Sequence, residues 1–490
     1  LIQCVFCMFA QDAQLLPAKL FESILTKSHS DPAKTRERIH ALFTTMLSGG
    51  SYGADDIPWF NGGLFAVVAV PELDATDCAD LRAAAKMNWR AVEPAILGTL
   101  FERGLNPDMR SQLGAHYTDP ATIMKLVAPV VEAPLLAEWQ VISGEILLLM
   151  ERYHRGGKGS QAAHREARAA FFGFLQRLRD FRVLDPACGS GNFLYLALKT
   201  LKDIEHRVNL EAEALGLHRQ VGIEVSPANV FGIELNPYAA ELARVTVWIG
   251  EIQWMLGHGY PYRGNPILAT LDHIEQKDAL IANGAEAIWP SCDAIVGNPP
   301  FLGNKKMRAE MGSVYVDELR AIYAGRVPGG ADLVTYWFER AGRQIEAGLC
   351  RRGGLVATNS IRGGASRRVL DTIANRIGIF EAWSDEPWVN EGAAVRVSLV
   401  AFGEESSRRL NGLPVAVIHP DLTPGDDEST LDLTRAVRLS ENANISFMGV
   451  TKSGPFDLPG SDARRWLELP NPNGRSNSEV LGPSVNGNDI

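Results

Sequence analysis

The sequence has few cysteines, no long apolar run and no excess of positive charge. Its 490 residues include six cysteines in no regular pattern, which excludes a disulfide-stapled secreted scaffold and predicts a reducing, cytoplasmic location. No run reaches the ~18 apolar residues of a membrane span, so we expect no membrane partner. Acidic residues number 58 and basic residues 48, whereas a self-sufficient nucleic-acid binder is usually basic. A large globular protein is left, and any basic surface on it must be local.

Cys4 and Cys7 form a single C-x-x-C without a second pair. A structural zinc site needs four ligands, so half of one carries little weight. We expect both cysteines to be core residues at helical spacing, and we predict no metal site.

Changes in the apolar pattern divide the chain into parts 1–94, 95–403 and 404–490. The first part has helical spacing throughout, and the last is rich in Pro, Gly, Asn and Asp. In the middle part, short apolar or β-branched runs alternate with helical patterns. This alternation predicts an α/β fold with a parallel, doubly wound sheet. The candidate strands are 181–185, 230–234, 293–297, 354–359, 379–384 and 396–402.

The first chemical motif is Val-Leu-Asp-Pro-Ala-Cys-Gly-Ser-Gly-Asn-Phe at 183–193. Its glycines let the backbone approach a ligand closely, and in doubly wound sheets such a turn lies where ligands bind. It carries an acid at the strand end and lacks the third glycine of a dinucleotide turn, which is typical of S-adenosylmethionine sites. We predict that Asp185 lies near the methionine ammonium of this cofactor. The other predicted contacts of the turn are Ala187, Cys188, Gly189, Gly191, Asn192 and Phe193.

Two more acids are candidates for the same cofactor. Gly-Ile-Glu occurs at 222–224 and again at 232–234, and only the second copy precedes a full helical pattern. Glu234 is therefore the predicted strand-end acid that accepts both ribose hydroxyls, with a solvated strand-end glutamate as the alternative. Asp278 and Ala279 follow a candidate strand near 271–275, and the acid could accept the exocyclic amine of the adenine.

The motif that suggests the reaction is Asn298-Pro299-Pro300-Phe301, at the end of an apolar strand. An aromatic exocyclic amine is a poor nucleophile because its lone pair is delocalised into the ring. The Asn298 oxygen and a proline carbonyl can accept its two N–H bonds, and the two prolines fix φ and remove competing donors. Phe301 can stack on an extruded base. These four residues are the predicted catalytic group, with a plain Pro-Pro loop capping a strand as the alternative.

These motifs resemble the amino-methyltransferases of DNA, specifically adenine-N6 enzymes of the gamma arrangement. The segment Gln112–Pro120 is similar to the motif that precedes their Gly-rich turn, with Asp119 inserted, and it implies cofactor contacts from Tyr117 and Thr118. The resemblance also implies that Asp332 helps wall the adenine pocket. From the sequence alone, Asp332 is a predicted N-terminal cap of the helix that follows.

Beyond the catalytic motifs, the chain resembles MmeI-like type IIL/IIG restriction–modification proteins. The stretches that carry this resemblance are 6–17, 59–65, 93–118, 232–254 and 469–482. A member of that family would transfer a methyl group from S-adenosylmethionine to N6 of a flipped adenine in double-stranded DNA. The three parts would be a helical spacer, a Rossmann-like class I methyltransferase sheet, and a connector with the start of a recognition domain.

The resemblance also sets expectations for the rest of the protein. The family's nuclease and nearly all of its recognition domain have no counterpart here, and residue 1 is Leu rather than Met. We therefore expect a full-length form that carries both domains. Two basic clusters are local candidates for DNA contact, although a solvated face is the more frequent meaning of such clusters. They are Lys305, Lys306 and Arg308, and Arg362, Arg367 and Arg368.

Two rival functions stay open at this point. An Asn-Pro-Pro-aromatic motif also serves methylation of other planar nitrogens, such as a protein glutamine amide or an RNA base. A catalytically silent fragment of a restriction system is the third possibility. The enzyme hypothesis depends on one spatial premise, which is that folding brings 298–301 alongside 185–191.

Overall fold

The computed structural model describes most of the chain. The described residues are 1–28, 30–60, 63–96, 119–220, 222–260, 268, 270–390, 393–405, 407–425 and 457–483. They fall into two compact units, Leu1–Ser429 and Thr430–Ile490. In the second unit the described residues form helix α14 (Gly460–Glu468) and a 3-10 turn at Asn477–Glu479. The first unit holds all the predicted catalytic elements that the structure describes.

Helices dominate the N-terminal part, as the sequence predicts. They are α1 (Ile2–Asp12), α2 (Leu20–Lys27), α3 (Pro32–Ser48) and α4 (Ala75–Ala84), with a small hairpin of β1 (Gly50–Tyr52) and β2 (Asp55–Ile57). Asp31 begins α3 by accepting the Lys34 amide, with a proline at the first helical position. A cluster of phenylalanines forms the core, and the Phe6 and Phe60 rings meet edge-on at 5.8 Å. Cys4 and Cys7 are buried in this core, as predicted.

Ten further helices and thirteen strands follow within the described residues. The helices are α5 (Pro120–Val127), α6 (Ala133–Arg155), α7 (Ser160–Asp180), α8 (Asn192–Ala214), α9 (Pro237–Gly257), α10 (Asn304–Met311), α11 (Ser313–Ile322), α12 (Val334–Glu346), α13 (Gly364–Arg376) and α14. The strands are β3 (Val183–Asp185), β4 (Val230–Glu234), β5 (Ile274–Gln276), β6 (Ile281–Ala282), β7 (Ala285–Glu286), β8 (Ala294–Gly297), β9 (Arg352–Thr358), β10 (Ile379–Asn390), β11 (Ala393–Gly403), β12 (Arg409–Leu410), β13 (Leu413–Pro414), β14 (Val417–Ile418) and β15 (Pro424–Gly425).

Among the described residues, the central sheet has nine strands in the order β13-β12-β10-β11-β9-β8-β3-β4-β5. Strands β9, β8, β3, β4 and β5 pair in parallel. All three residues of β3 are buried, as expected for a strand covered on both faces. The α/β fold of the prediction is confirmed, and the predicted strands coincide with observed ones.

The sheet is not parallel throughout, because β11 runs antiparallel to both β10 and β9. The physical reason is the short connection between β10 and β11, because parallel neighbours need a crossover of a dozen residues or more. Both strands are also longer than predicted. They pair from Ile379↔Phe402 to Asn390↔Ala393.

Residues Pro120–Arg155 form one helical stretch, in which a wider turn at Ala128–Glu132 separates α5 from α6. By length and composition alone this stretch is apolar enough to cross a membrane. No membrane-spanning segment was expected from the sequence, yet this stretch meets the criterion of length and composition for one. The core helix of a globular protein meets the same criterion. Ile123, Val131 and Trp139 are buried in the main core of the first unit.

Candidate active site

One cavity of about 1140 Å³ lies at the carboxyl ends of β3, β4 and β8. Its walls include Asp185 through Ser190 from the Gly-rich turn, Glu234 from β4, and Asn298, Pro300 and Phe301 from the loop after β8. Carboxyl ends of parallel strands are where ligands bind in open α/β sheets. The spatial premise of the sequence analysis is therefore met, because 185–190 and 298–301 share one cavity.

Direct pairing of β3 with β8 brings the two motifs together. Val183 lies opposite Ala294, and Leu184 lies opposite Ile295. Gly297, the last residue of β8, faces Asp185 so closely that a Cβ there would lie 2.5 Å from its Oδ1. The absence of a side chain at 297 thus allows the buried carboxylate to lie beside the Asn-Pro-Pro-Phe loop.

Asp185 is a buried carboxyl with one backbone partner. It is 1% exposed, and its Oδ1 accepts the Ala187 amide at 3.0 Å. Burial raises the pKa of Asp185 to about 8, against the lowering effect of the Ala187 amide and with a smaller contribution from the Glu234 charge. Since the neutral form is favoured at neutral pH, the site is prepared for a cation that would restore the charge.

Gly189 and Gly191, the two glycines of the turn, have different structural roles. Gly189 donates its amide to Glu234 Oε2 at 2.9 Å and lies in the cavity wall. Gly191 has φ of 86° and a Cβ there would lie 2.8 Å from the Cα of Ala243, so it permits close packing of α8 on α9. Gly191 is not among the residues that line the cavity, unlike its neighbours Asn192 and Phe193.

Glu234 is the strand-end acid that faces the cavity, as predicted. Its Oε1 accepts the Asn236 amide at 2.8 Å while Oε2 accepts that of Gly189. Burial raises the pKa of Glu234, and the backbone amides that it accepts oppose the rise. Glu224, in the first Gly-Ile-Glu copy, lies in a loop and pairs with Arg179 at 3.6 Å.

Asp278 and Ala279 line the cavity at the end of β5. Asp278 Oδ1 accepts the amides of Leu280 and Ile281 at 2.7 and 3.2 Å, and its Oδ2 accepts the Tyr315 hydroxyl at 2.8 Å. Tyr315 was not predicted from the sequence, and it reaches the site from α11. No local signal marks it, because the two partners of this hydrogen bond are 37 positions apart in the sequence.

The predicted catalytic loop, 298–301, is on the opposite side of the same cavity. Asn298, Pro300 and Phe301 are in its wall, whereas Pro299 is not among the lining residues. The Phe301 ring meets Trp388 of β10 edge-on, with 6.5 Å between centroids. Trp388 is a second residue that sequence reasoning missed, because the length of β10 was underestimated.

The prediction that Asp332 caps a helix is wrong. Helix α12 begins at Val334 with Leu333 as its cap residue and no side-chain cap. The Asp332 carboxylate instead accepts the Asn304 amide on Oδ1 at 2.9 Å and the Ser360 hydroxyl on Oδ2 at 2.6 Å. These two donors take the oxygens that a cap would use. Asp332 remains in the cavity wall.

Two other predictions concern cofactor contacts and metal. Tyr117 and Thr118 lie outside the described residues. Within the residues that the structure describes, no group of three or more His, Cys, Asp or Glu side chains could hold a metal ion.

The sheet and its acid-lined cavity define a Rossmann-like class I methyltransferase core. The chain belongs to the MmeI family, since residues 161–411 match its DNA-methyltransferase domain and residues 1–65 match its helicase spacer domain. DNA methyltransferase A of Bacillus subtilis (strain 168) is 25% identical over 496 residues, covering 93% of this chain and 51% of that protein. The type IIL restriction–modification enzyme MmeI, solved in complex with DNA, matches with a TM-score of 0.71 and 26% identity, over 87% of this chain and 58% of that chain. The chain thus spans about half the length of these relatives.

Proposed function

We propose that the protein transfers a methyl group from S-adenosylmethionine to N6 of a flipped adenine in double-stranded DNA, within a restriction–modification system. The observation that carries the proposal is the single cavity shared by the buried acids and the Asn298 loop. The match to a DNA-methyltransferase domain and the likeness to a DNA-bound restriction–modification enzyme support DNA as the substrate.

The residues present fit the cofactor. S-adenosylmethionine carries an ammonium, a ribose diol and an adenine amine, which all donate hydrogen bonds and need acceptors. Asp185, Glu234 and Asp278 present carboxylates along the cavity. Asn192 Oδ1 is buried beside them and, among the described residues, has no hydrogen-bond partner. We assign Asp185 to the ammonium, Glu234 to the ribose hydroxyls and Asp278 to the adenine amine.

The cofactor supplies an electrophilic methyl group, and the protein prepares the nucleophile. The Asn298 oxygen and the Pro299 carbonyl accept the two N–H bonds of the adenine amine, which favours a pyramidal nitrogen with an available lone pair. Phe301 stacks on the base and stabilises its flipped position, which costs a few kcal/mol to reach. No general base is required, because the proton can leave to water after methyl transfer.

The experiment that tests this proposal uses cofactor with an isotopically labelled methyl group. The protein is incubated separately with duplex DNA, total RNA and total protein, and each product is hydrolysed and analysed by mass spectrometry. We expect label in N6-methyladenine from DNA. Label in a glutamine amide or in an RNA base would contradict the proposal, and so would stoichiometric cofactor binding without transfer to any of the three.

A further inference from the structure

Asn304, which lies shortly after the catalytic loop (298–301), donates its amide to the carboxylate of Asp332, a residue outside the loop. We infer that Asp332 is a positioning residue for this loop, rather than a residue that contacts the adenine of the cofactor. The inference rests on the proposed methyl transfer, since it concerns how the Asn298 oxygen and the Phe301 ring are kept in place. Asp332 acts through the residues that come directly after Phe301.

Two hydrogen bonds hold the end of the loop to the start of α12. Asp332 Oδ1 accepts the Asn304 amide at 2.9 Å, and the Leu333 amide donates to the Leu302 carbonyl at 2.9 Å. Asn304 is fixed from its other side as well, because Arg320 donates to its Oδ1 at 2.7 Å. The backbone from Leu302 to Asn304 therefore has little freedom relative to α12.

The other carboxylate oxygen connects the same residue to the sheet. Asp332 Oδ2 accepts the Ser360 hydroxyl at 2.6 Å, and Ser360 lies in the turn that follows β9. Strand β9 is the direct neighbour of β8, and Gly297 at the end of β8 lies opposite Leu355. One end of the catalytic loop thus leaves β8, and the other end is fastened through Asp332 to the strand next to it.

If Asp332 positions the catalytic loop and does not contact the cofactor, its removal should slow methyl transfer without weakening cofactor binding. A hydrogen bond to a charged acceptor is about twice as strong as a neutral one, so removing the carboxylate frees the loop end. A displacement of about 1 Å at a reacting group can cost about 100-fold in rate. Cofactor binding is assigned to Asp185, Glu234 and Asp278, whereas the Asp332 carboxylate is engaged by Asn304 and Ser360, so cofactor affinity should be unaffected.

Three variants separate the contributions. Asp332→Ala removes both acceptors. Asp332→Asn retains an oxygen for the Asn304 amide and offers an N–H to the Ser360 hydroxyl, so it should restore most of the function. Ser360→Ala breaks the link between Asp332 and the turn after β9, together with the Ser360–Thr358 hydrogen bond, but it leaves the Asn304 hydrogen bond in place and should have an intermediate effect.

Each variant is measured in three ways. Hydrogen–deuterium exchange of a peptide covering 298–311 reports on the loop, calorimetry with S-adenosylhomocysteine reports on the cofactor site, and single-turnover methylation of duplex DNA reports on the reaction. For Asp332→Ala we expect exchange about 10-fold faster near 302–304, cofactor affinity within twofold of wild type, and turnover about 100-fold slower.

Two results would overturn the inference. One is unchanged exchange at 302–304 in both Asp332→Ala and Ser360→Ala. The other is a large loss of cofactor affinity in Asp332→Ala that Asp332→Asn does not repair, which would place Asp332 in the cofactor pocket. Absence of methylation by the wild-type protein would instead refute the proposed function, and the exchange measurement would still decide the role of Asp332.

Discussion

The close contact between Gly297 and Asp185 can be tested by adding one methyl group in the variant Gly297→Ala. In Gly297→Ala, the new Cβ would lie 2.5 Å from Asp185 Oδ1 and 3.1 Å from its Cγ, whereas ordinary contacts begin at 3.4 Å. Because β8 is buried along its whole length, neither strand can move aside easily. Overpacking of this kind costs about 1–3 kcal/mol. The Asp185 carboxylate must turn away from its position in the cavity.

Displacing the Asp185 carboxylate should weaken its proposed hydrogen bond to the ammonium of the cofactor. A hydrogen bond to a charged group contributes about 1.5–3 kcal/mol, which corresponds to about 10- to 100-fold in affinity. Calorimetry with S-adenosylhomocysteine should therefore show binding weaker by that factor in Gly297→Ala, together with a lower Tm. Gly330→Ala is the matched control, because Gly330 also lines the cavity and its Cβ would lie 3.5 Å from Ala365 Cβ, an ordinary contact. Wild-type affinity and Tm in Gly297→Ala would refute the reasoning.

Four further variants test charges and packing in the first unit. Because burial raises the pKa of Asp185 from a usual 3.8 to about 8, the folded state keeps a proton that the unfolded state has released. Cofactor-free wild type should therefore lose stability relative to Asp185→Asn as pH rises from about 4 to about 8, and change little above that, measured by urea denaturation. Gly191→Ala, at φ of 86° and with its Cβ 2.8 Å from the Ala243 Cα, should be destabilised by about 2–5 kcal/mol in the same assay. Lys202→Met leaves its buried partner Glu251, 3.0 Å away, without a counter-charge and should cost about 3–5 kcal/mol, whereas the double variant with Glu251→Leu should recover most of it. A free energy of unfolding equal to that of wild type in Gly191→Ala would contradict the close contact between Gly191 and Ala243. The same result in Lys202→Met would contradict the ion pair between Lys202 and Glu251.

The motifs that could be predicted from the sequence are those in which chemistry and local structure coincide. The Gly-rich turn and the Asn-Pro-Pro-Phe loop each follow an apolar strand directly, so their places at the sheet edge follow from the chain itself. Glu234 could be distinguished from Glu224 because only the second copy leaves enough chain for a packed helix. That helix is α9, Pro237–Gly257.

What could not be predicted depends on long-range contacts. The pattern of apolar residues along a strand does not indicate whether the strand runs parallel or antiparallel to its neighbours, so the antiparallel direction of β11 could not be predicted. Tyr315 and Trp388 reach the cavity region from α11 and β10, and nothing near them in sequence indicates this. Asp332 has the residue type and position of a helix cap, but the Asn304 amide and the Ser360 hydroxyl, distant in sequence, take its oxygens.

In the proposed reaction, the Asn298 oxygen activates the target amine in the cavity assigned to the cofactor. Wild type and Asn298→Ala are compared in single-turnover methylation of duplex DNA, after calorimetry has shown that both bind S-adenosylhomocysteine equally. Label should appear on adenine N6 with the wild-type protein and be absent with the variant. Methylation at the wild-type rate by Asn298→Ala would contradict the proposed reaction.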